Sequence, residues 1–463
     1  MTQAVNPIIS VLSDMQKESI EYSNLQQLEH KKNYGQFFTD FHIAEYMSSL
    51  FNSVKKNECS ILDCGAGNGI LAVSLLNKLI KNGYTSINLT LFEIDNEVIP
   101  MLKKNILNVV DMHKDISIKF TIINENFILY QHTNKYDFII SNPPYFKLRK
   151  NSEEAQRMDY IVHGQPNIYM LFMAKSAELL NDNGEMVFIT PRSFTSGIYF
   201  SKFRKYLMDT VSISNIHIFN SRKKHFKNEN ILQETIITKM TKKEVNETII
   251  STSEDSYFID YKTLKISKKY LIDDTQNIIR IPSTKEDIDL LDEFFKMEDT
   301  FSSLGYKIST GKVVVFRNKE FLHTEKQDNF LPMLWMNHFK GESLNYPIDT
   351  NKQQYIIQSK DSMKLLIPCE NYIVVKRFSS KEQKRRINLG YIFKKDIDCD
   401  YLGLENHLNY IYKTNTNLSI NEMKKLGKYL SSEMVDKYFR IMNGNTQVNA
   451  SDILHLPIPK KIL

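Results

Sequence analysis

Between residues 59 and about 240 the chain alternates between two periodicities. Short apolar runs rich in β-branched and aromatic residues fall at 59–63 (CSILD), 88–94, 118–123, 136–140 and 185–190, with segments of helical period between them. In GILAVSLLNKLIKN, Leu71, Leu75, Leu76, Leu79 and Ile80 share one helical face, and Gly83 follows as a stop. Residues 167–183 predict another helix, closed by Gly184. Strands that alternate with helices bury both their faces in a parallel sheet. The expected fold class is therefore α/β, with a doubly wound, Rossmann-like sheet. Open sheets of this kind bind ligands at the carboxyl ends of their strands.

The chain has 463 residues, more than one core readily organises. We expect a helical lead-in over 1–30, a sheet-forming domain over 31–245, a polar linker over 246–285 and a second, mixed α+β domain over 286–463. The last region has short β-like runs and no βαβ rhythm. A composition of 42% hydrophobic and 25% charged residues suits a soluble globular protein. No apolar run approaches the ~18–20 residues of a membrane span, and the first residues carry no secretory pattern. Cys59, Cys64, Cys369 and Cys399 show no zinc spacing, which predicts a reducing cytoplasm and no metal site. The net charge is +6. Residues 221–227 (SRKKHFK) and 376–386 (KRFSSKEQKRR) are strongly basic. Each run alone could be a solvated face; two in one chain point to a polyanionic partner.

The chemistry gathers at predicted strand ends. ILDCGAGNG puts Asp63 at the end of the first strand, with Gly65, Gly67 and Gly69 in the turn before a helix. Such glycines let the backbone approach a ligand, although a plain tight turn uses them too. LFEID ends the second strand with Glu93, placed to accept from two ribose hydroxyls; a solvated acid is the bland alternative. INENF ends the third with Asn126 and Phe127, an amide and a ring that suit an adenine, or an ordinary loop. The fourth strand ends in SNPPY. An exocyclic amine conjugated to a ring is a poor nucleophile, because its lone pair is delocalised. The Asn142 amide oxygen and the Pro143 carbonyl can accept its two N–H bonds and concentrate that lone pair. Pro143 and Pro144 hold the carbonyl rigidly, so nothing rearranges during reaction. Tyr145 can stack on the ring and align it with a sulfonium methyl group.

These motifs resemble those of the N6-adenine DNA methyltransferases. NYGQFFTD (33–40) is similar to their N-terminal motif, LDCGAGNG to the cofactor turn, FEID to the ribose-binding acid and SNPPY to the catalytic tetrapeptide. The order is that of the gamma group. Residues 310–322, 374–387, 402–412 and 443–459 resemble the BsuBI/PstI-type modification methylases, so the likeness covers nearly the whole chain.

The resemblance implies a cofactor, S-adenosyl-L-methionine, contacted by Thr39, Asp63, Gly65, Gly67, Glu93, Asn126 and Phe127. It implies catalysis by Asn142, Pro143, Pro144 and Tyr145 on an adenine flipped out of double-stranded DNA. Tyr145 and Phe200 would stack on that base, with Phe194 and Tyr199 nearby; a core-facing role is the alternative for Phe200. Lys376, Arg377, Lys381, Lys384, Arg385 and Arg386 would grip phosphates. Arg317, Asn445, Gln447 and Asn449 are suited to reading base edges, although 443–452 reads better as a structural loop. Two departures stand out. Asp40 replaces a proline, and Asn126 replaces an acid whose role its amide oxygen could fill. The implied setting is a type II restriction-modification system, with any endonuclease on a separate chain, or a solitary methylase. The rival readings are an RNA or protein-glutamine methyltransferase with the same chemistry, and a non-catalytic DNA-recognition subunit.

Overall fold

The computed structural model describes residues 7–25, 38–52, 56–220, 234–379, 382–414 and 416–460. The basic run 221–227, Lys381 and residues 33–37 of the N-terminal motif lie outside the described residues. The chain divides into two units, 1–284 and 285–463.

In the first unit, β1 (Glu58–Asp63) runs into a glycine-rich turn and α3 (Ile70–Lys81), after the two earlier helices α1 (Pro7–Leu25) and α2 (Phe41–Ser49). Gly69 has φ +88°, and a Cβ there would lie 2.8 Å from Leu102 Cδ1, so only glycine fits this corner. Helix α3 buries Leu71, Leu75, Leu76 and Leu79 against the sheet. Each such side chain contributes roughly 1.5–3 kcal/mol. Strands β2 (Ser86–Phe92), β3 (Ser117–Ile123), β4 (Tyr136–Ser141) and β5 (Leu180–Pro191) follow. The crossovers include α4 (Ile99–Met112), α5 (Glu153–Arg157) and α6 (Ile168–Leu179). After α7 (Ser201–Thr210) come β6 (Ser212–Phe219), β7 (Thr235–Thr241), β8 (Glu247–Ser253) and β9 (Lys262–Ser267). The nine strands form one sheet in the order β3-β2-β1-β4-β5-β7-β6-β8-β9. Strands β1 to β5 pair in parallel, and β7 joins antiparallel. The order reverses between β1 and β4, the crevice where such sheets bind ligands.

Three expectations are corrected. Residues 246–285 are not a linker: β8 and β9 extend the main sheet, and the division falls after Thr284. Their polarity hides the strand because its hydroxyls are paired inside. Ser251 Oγ and Ser253 Oγ lie 2.9 and 3.1 Å from the ring nitrogens of buried His217 on β6. The helix expected over 167–183 ends at Leu179. Asn181, Asp182 and Asn183 are weak helix formers, and Leu180 instead pairs with Tyr136. Finally, the helical lead-in expected over 1–30 forms a helix at Pro7–Leu25 that packs into the core of the sheet-forming domain instead of preceding it. Leu12 and Met15 are buried, and Asn68 Nδ2 donates to Met15 O at 3.1 Å and Ser19 Oγ at 2.6 Å.

The second unit holds a four-stranded antiparallel sheet. Its strands are Tyr306–Thr310, Leu408–Lys413, Tyr372–Lys376 and Leu389–Ile392, in that spatial order. It also holds a five-stranded mixed sheet and the paired helices Ile420–Leu430 and Glu433–Met442. Among the described residues, no helix is long and apolar enough to cross a membrane.

Candidate active site

Parallel pairing sets the strand ends level. Asp63 of β1 lies opposite Leu91 of β2 and Ile140 of β4, and Phe92 lies opposite Ile123 of β3. The residues just past each strand therefore meet at one edge. They line a cavity of about 240 Å³ that includes Gly65, Gly67, Glu93, Asn126, Phe127 and Asn142. Phe38, Phe92, Ile94, Leu148, Ile168 and Phe172 supply apolar walls, and Glu125 and Glu154 add carboxylates. Sequence reasoning missed most of these walls. Phe172 was legible only as one residue of the apolar helix α6.

Asp63 is fully buried. Its Oδ1 accepts from Gly65 N at 3.3 Å, and its Oδ2 has no partner among the described residues. Burial, reinforced by the Glu93 carboxylate, pushes its pKa up to about 8. A buried acid with an idle oxygen suits a cationic ligand group. Glu93 accepts from Gly67 N at 2.7 Å and Asp95 N at 2.8 Å. Burial raises its pKa, against those two bonds. Asn126 departs from its expected part. Its Oδ1 accepts from Ile128 N at 3.0 Å and Leu129 N at 3.4 Å, and its Nδ2 donates to Glu154 Oε1 at 2.9 Å. Phe127 is buried between Phe92 and Phe172.

Asn142 follows β4 directly. Its Nδ2 donates to Thr39 Oγ1 at 3.1 Å. The Tyr145 hydroxyl lies 2.5 Å from Asn142 Oδ1 and 2.8 Å from Ile189 O. Asp40, the departure from the N-terminal motif, caps α2: its side chain accepts from His42 N at 2.9 Å and from Gln16 Nε2 of α1 at 2.8 Å. A capping carboxylate thus fixes the loop that carries Thr39. Phe200 stacks on buried Tyr169, with centroids 6.0 Å apart, and Tyr169 meets Tyr145 edge-on at 6.2 Å. Tyr169, which the sequence did not single out, thus links the two predicted stacking residues. Phe194, by contrast, is buried against Phe203 in the core, and Tyr199 is 61% exposed.

The basic run of the second unit is largely turned inward. Arg386 is 1% exposed. Its guanidinium donates to Ser379 Oγ at 3.0 Å, Asn443 O at 3.3 Å and Asn445 O. It cannot grip a phosphate, because its donors hold the loop that starts at Asn443. Lys376 Nζ donates to Phe339 O at 2.9 Å and Arg377 Nη1 to Asn406 O at 2.7 Å. Arg385 is half-buried and donates to Ser431 O, whereas Lys384 is exposed. The 443–452 segment is built as a structural loop: Asn443 Nδ2 donates to Asp452 Oδ2 at 2.7 Å, and Asn409 Nδ2 to Val448 O at 2.9 Å.

A turn of glycines and buried acids thus lies beside an Asn-Pro-Pro-Tyr edge, and the likenesses below define the class as a methyltransferase. Residues 14–226 match the family described as Eco57I restriction-modification methylase. The chain is 35% identical to type II methyltransferase M.BsuBI of Bacillus subtilis, over 94% of this chain and 89% of that one. It is 32% identical to type II methyltransferase M.PstI of Providencia stuartii, over 100% and 94%. The type IIL restriction-modification enzyme MmeI, solved in complex with DNA, shares the fold at a TM-score of 0.54 and 14% identity, covering 98% of this chain and 67% of that one. The chain belongs to the family of type II restriction-modification methyltransferases.

Proposed function

We propose that the protein transfers a methyl group from S-adenosyl-L-methionine to the exocyclic N6 of an adenine flipped out of double-stranded DNA. One observation carries this reading. Asn142, held by Thr39 and Tyr145, lines the same cavity as the glycine turn and Glu93. The residues present fit the cofactor: Asp63 Oδ2 is buried with no partner among the described residues, Glu93 follows the neighbouring strand and lines the cavity, and Phe127 offers a ring. Asp63 would pair with the amino group of the methionine part and Glu93 would accept from the ribose hydroxyls. When bound, the cofactor supplies an electrophilic methyl group on a sulfonium centre. Asn142 and the Pro143 carbonyl accept the target N–H bonds, and no general base is needed to raise the nucleophilicity of that nitrogen. Tyr145 and Phe200 would flank the base.

The second unit would hold the duplex and offset the few kcal/mol of base extrusion. A cytoplasmic location and a cognate endonuclease on another chain fit the reading. The test is single-molecule sequencing of DNA from cells expressing the protein or its Asn142→Ala variant. N6-methyladenine at one motif in the wild type alone supports the proposal. Unmodified DNA in both sends the search to RNA and protein acceptors with labelled cofactor.

A further inference from the structure

We propose that Glu154, not Asn126, accepts the hydrogen bond from the exocyclic amine of the cofactor's adenine. The inference rests on the cofactor reading above and names the residue that recognises the ring. An adenine amine is only a donor, so its subsite needs an acceptor with capacity to spare. Asn126 lacks it: Oδ1 faces two backbone donors, Ile128 N and Leu129 N. Turning that oxygen to a ligand would strand Ile128 N beside buried Phe127, while Leu129 N would keep its bond to Asn126 O at 3.1 Å. Nor can the amide be read the other way round. A flipped Asn126 would set its NH₂ against two N–H donors and its oxygen against the Glu154 carboxylate.

The amide therefore serves as a donor, and what it orients is Glu154 Oε1, 2.9 Å away. Glu154 is half-buried on α5 and lines the cavity beside Phe127, Phe172 and Leu148. A carboxylate is an acceptor with about four lone-pair sites, so one bond from Asn126 leaves room for another. Apolar walls with one oriented acceptor are what an adenine ring requires. Glu125 also lines the cavity, on its exposed side. The carboxylate of this subsite thus comes from α5, 28 residues beyond the strand-end amide that holds it.

The experiment is calorimetric titration with S-adenosyl-L-homocysteine and S-inosyl-L-homocysteine, whose ring carries a carbonyl oxygen where adenine has its amine. The proteins are the wild type, Glu154→Gln and Glu125→Gln. The glutamine at 154 keeps a carbonyl for Asn126 and gains an NH₂ that can donate to the inosyl oxygen. The wild type and Glu125→Gln should prefer the adenosyl compound by more than about tenfold, and Glu154→Gln should reduce that preference to about threefold or less. A preference retained in Glu154→Gln, or lost in Glu125→Gln instead, overturns the proposal while the cofactor reading stands. Equal binding of both compounds to the wild type does the same. A wild type that binds neither overturns both.

Discussion

At the carboxyl edge of the first unit's sheet, polar groups keep bonding capacity facing a cavity. Glu93 and Asn142 line that cavity, and Asp63 Oδ2, outside its lining, is buried with no partner among the described residues. Along residues 376–386 of the second unit, polar groups turn their capacity onto the protein's own backbone. Lys376, Arg377 and Arg386 donate to carbonyl oxygens of neighbouring loops. Both regions are rich in charge, and only the first has the form of a site. What separates them is whether the surrounding backbone already answers the side chain. A strand end has finished its ladder, so its side chains need partners from outside. A basic run between two strands lies among unpaired loop carbonyls and satisfies them.

Substitutions can break or sharpen that contrast. The largest effect should come from Asn142→Ala. Methyl transfer measured in a single turnover should fall by about 10²–10³-fold or more, with cofactor affinity nearly intact. Turnover within tenfold of wild type would remove Asn142 from the chemistry. Arg386→Ala should act on stability instead. Losing a buried cation that ties its own loop to the one starting at Asn443 should cost about 3 kcal/mol or more. The chain has one tryptophan, Trp335 in the second unit, so its fluorescence during urea unfolding reports that unit directly. An unchanged midpoint would return Arg386 to the surface.

Asp63 gives a pH signature. Its pKa in the fold, about 8, stands above that of an unfolded aspartate. Its contribution to stability is therefore full below about pH 4 and is lost as pH rises through about 8. On the proposed reading ligand binding runs the other way, because the ionised form would pair with the cofactor's ammonium group. Affinity for S-adenosyl-L-homocysteine should rise by up to about tenfold per pH unit towards pH 8. Asp63→Asn should flatten that rise; a slope that survives the substitution assigns it elsewhere. The smallest effect belongs to Lys384, an exposed member of its run. Lys384→Ala should leave unfolding unchanged and lower the salt slope of DNA binding by about 0.9. An unchanged slope would take the run out of the DNA interface altogether.

The parts legible in the sequence were those fixed by local rules. The ends of β1 and β4 follow from short apolar runs closed by glycine or proline, those of β2 and β3 from apolar runs closed by acids and amides, and parallel pairing brings Asp63, Glu93 and Asn142 to one edge. The parts that stayed hidden depend on distant partners. Ser251 and Ser253 read as linker residues until His217 is set beside them. Helix α1 reads as a lead-in until Asn68, some fifty residues on, bonds to it. Glu154 lies in a polar stretch with no motif, and only the fold brings it to Asn126. Arg386 looks like its neighbours in composition, and its burial comes from the helix at Glu433–Met442, which supplies Asp436 to its backbone N–H at 2.6 Å.

The Tyr145 hydroxyl has one proton and two acceptors within reach, Asn142 Oδ1 and Ile189 O. Turning the O–H towards Ile189 withdraws this one bond from Asn142 without displacing a heavy atom. Such a rotor turns in picoseconds to nanoseconds. If Asn142 accepts from the target amine as proposed, the torsion of a single hydrogen would redirect the bond that Tyr145 gives it in the resting protein.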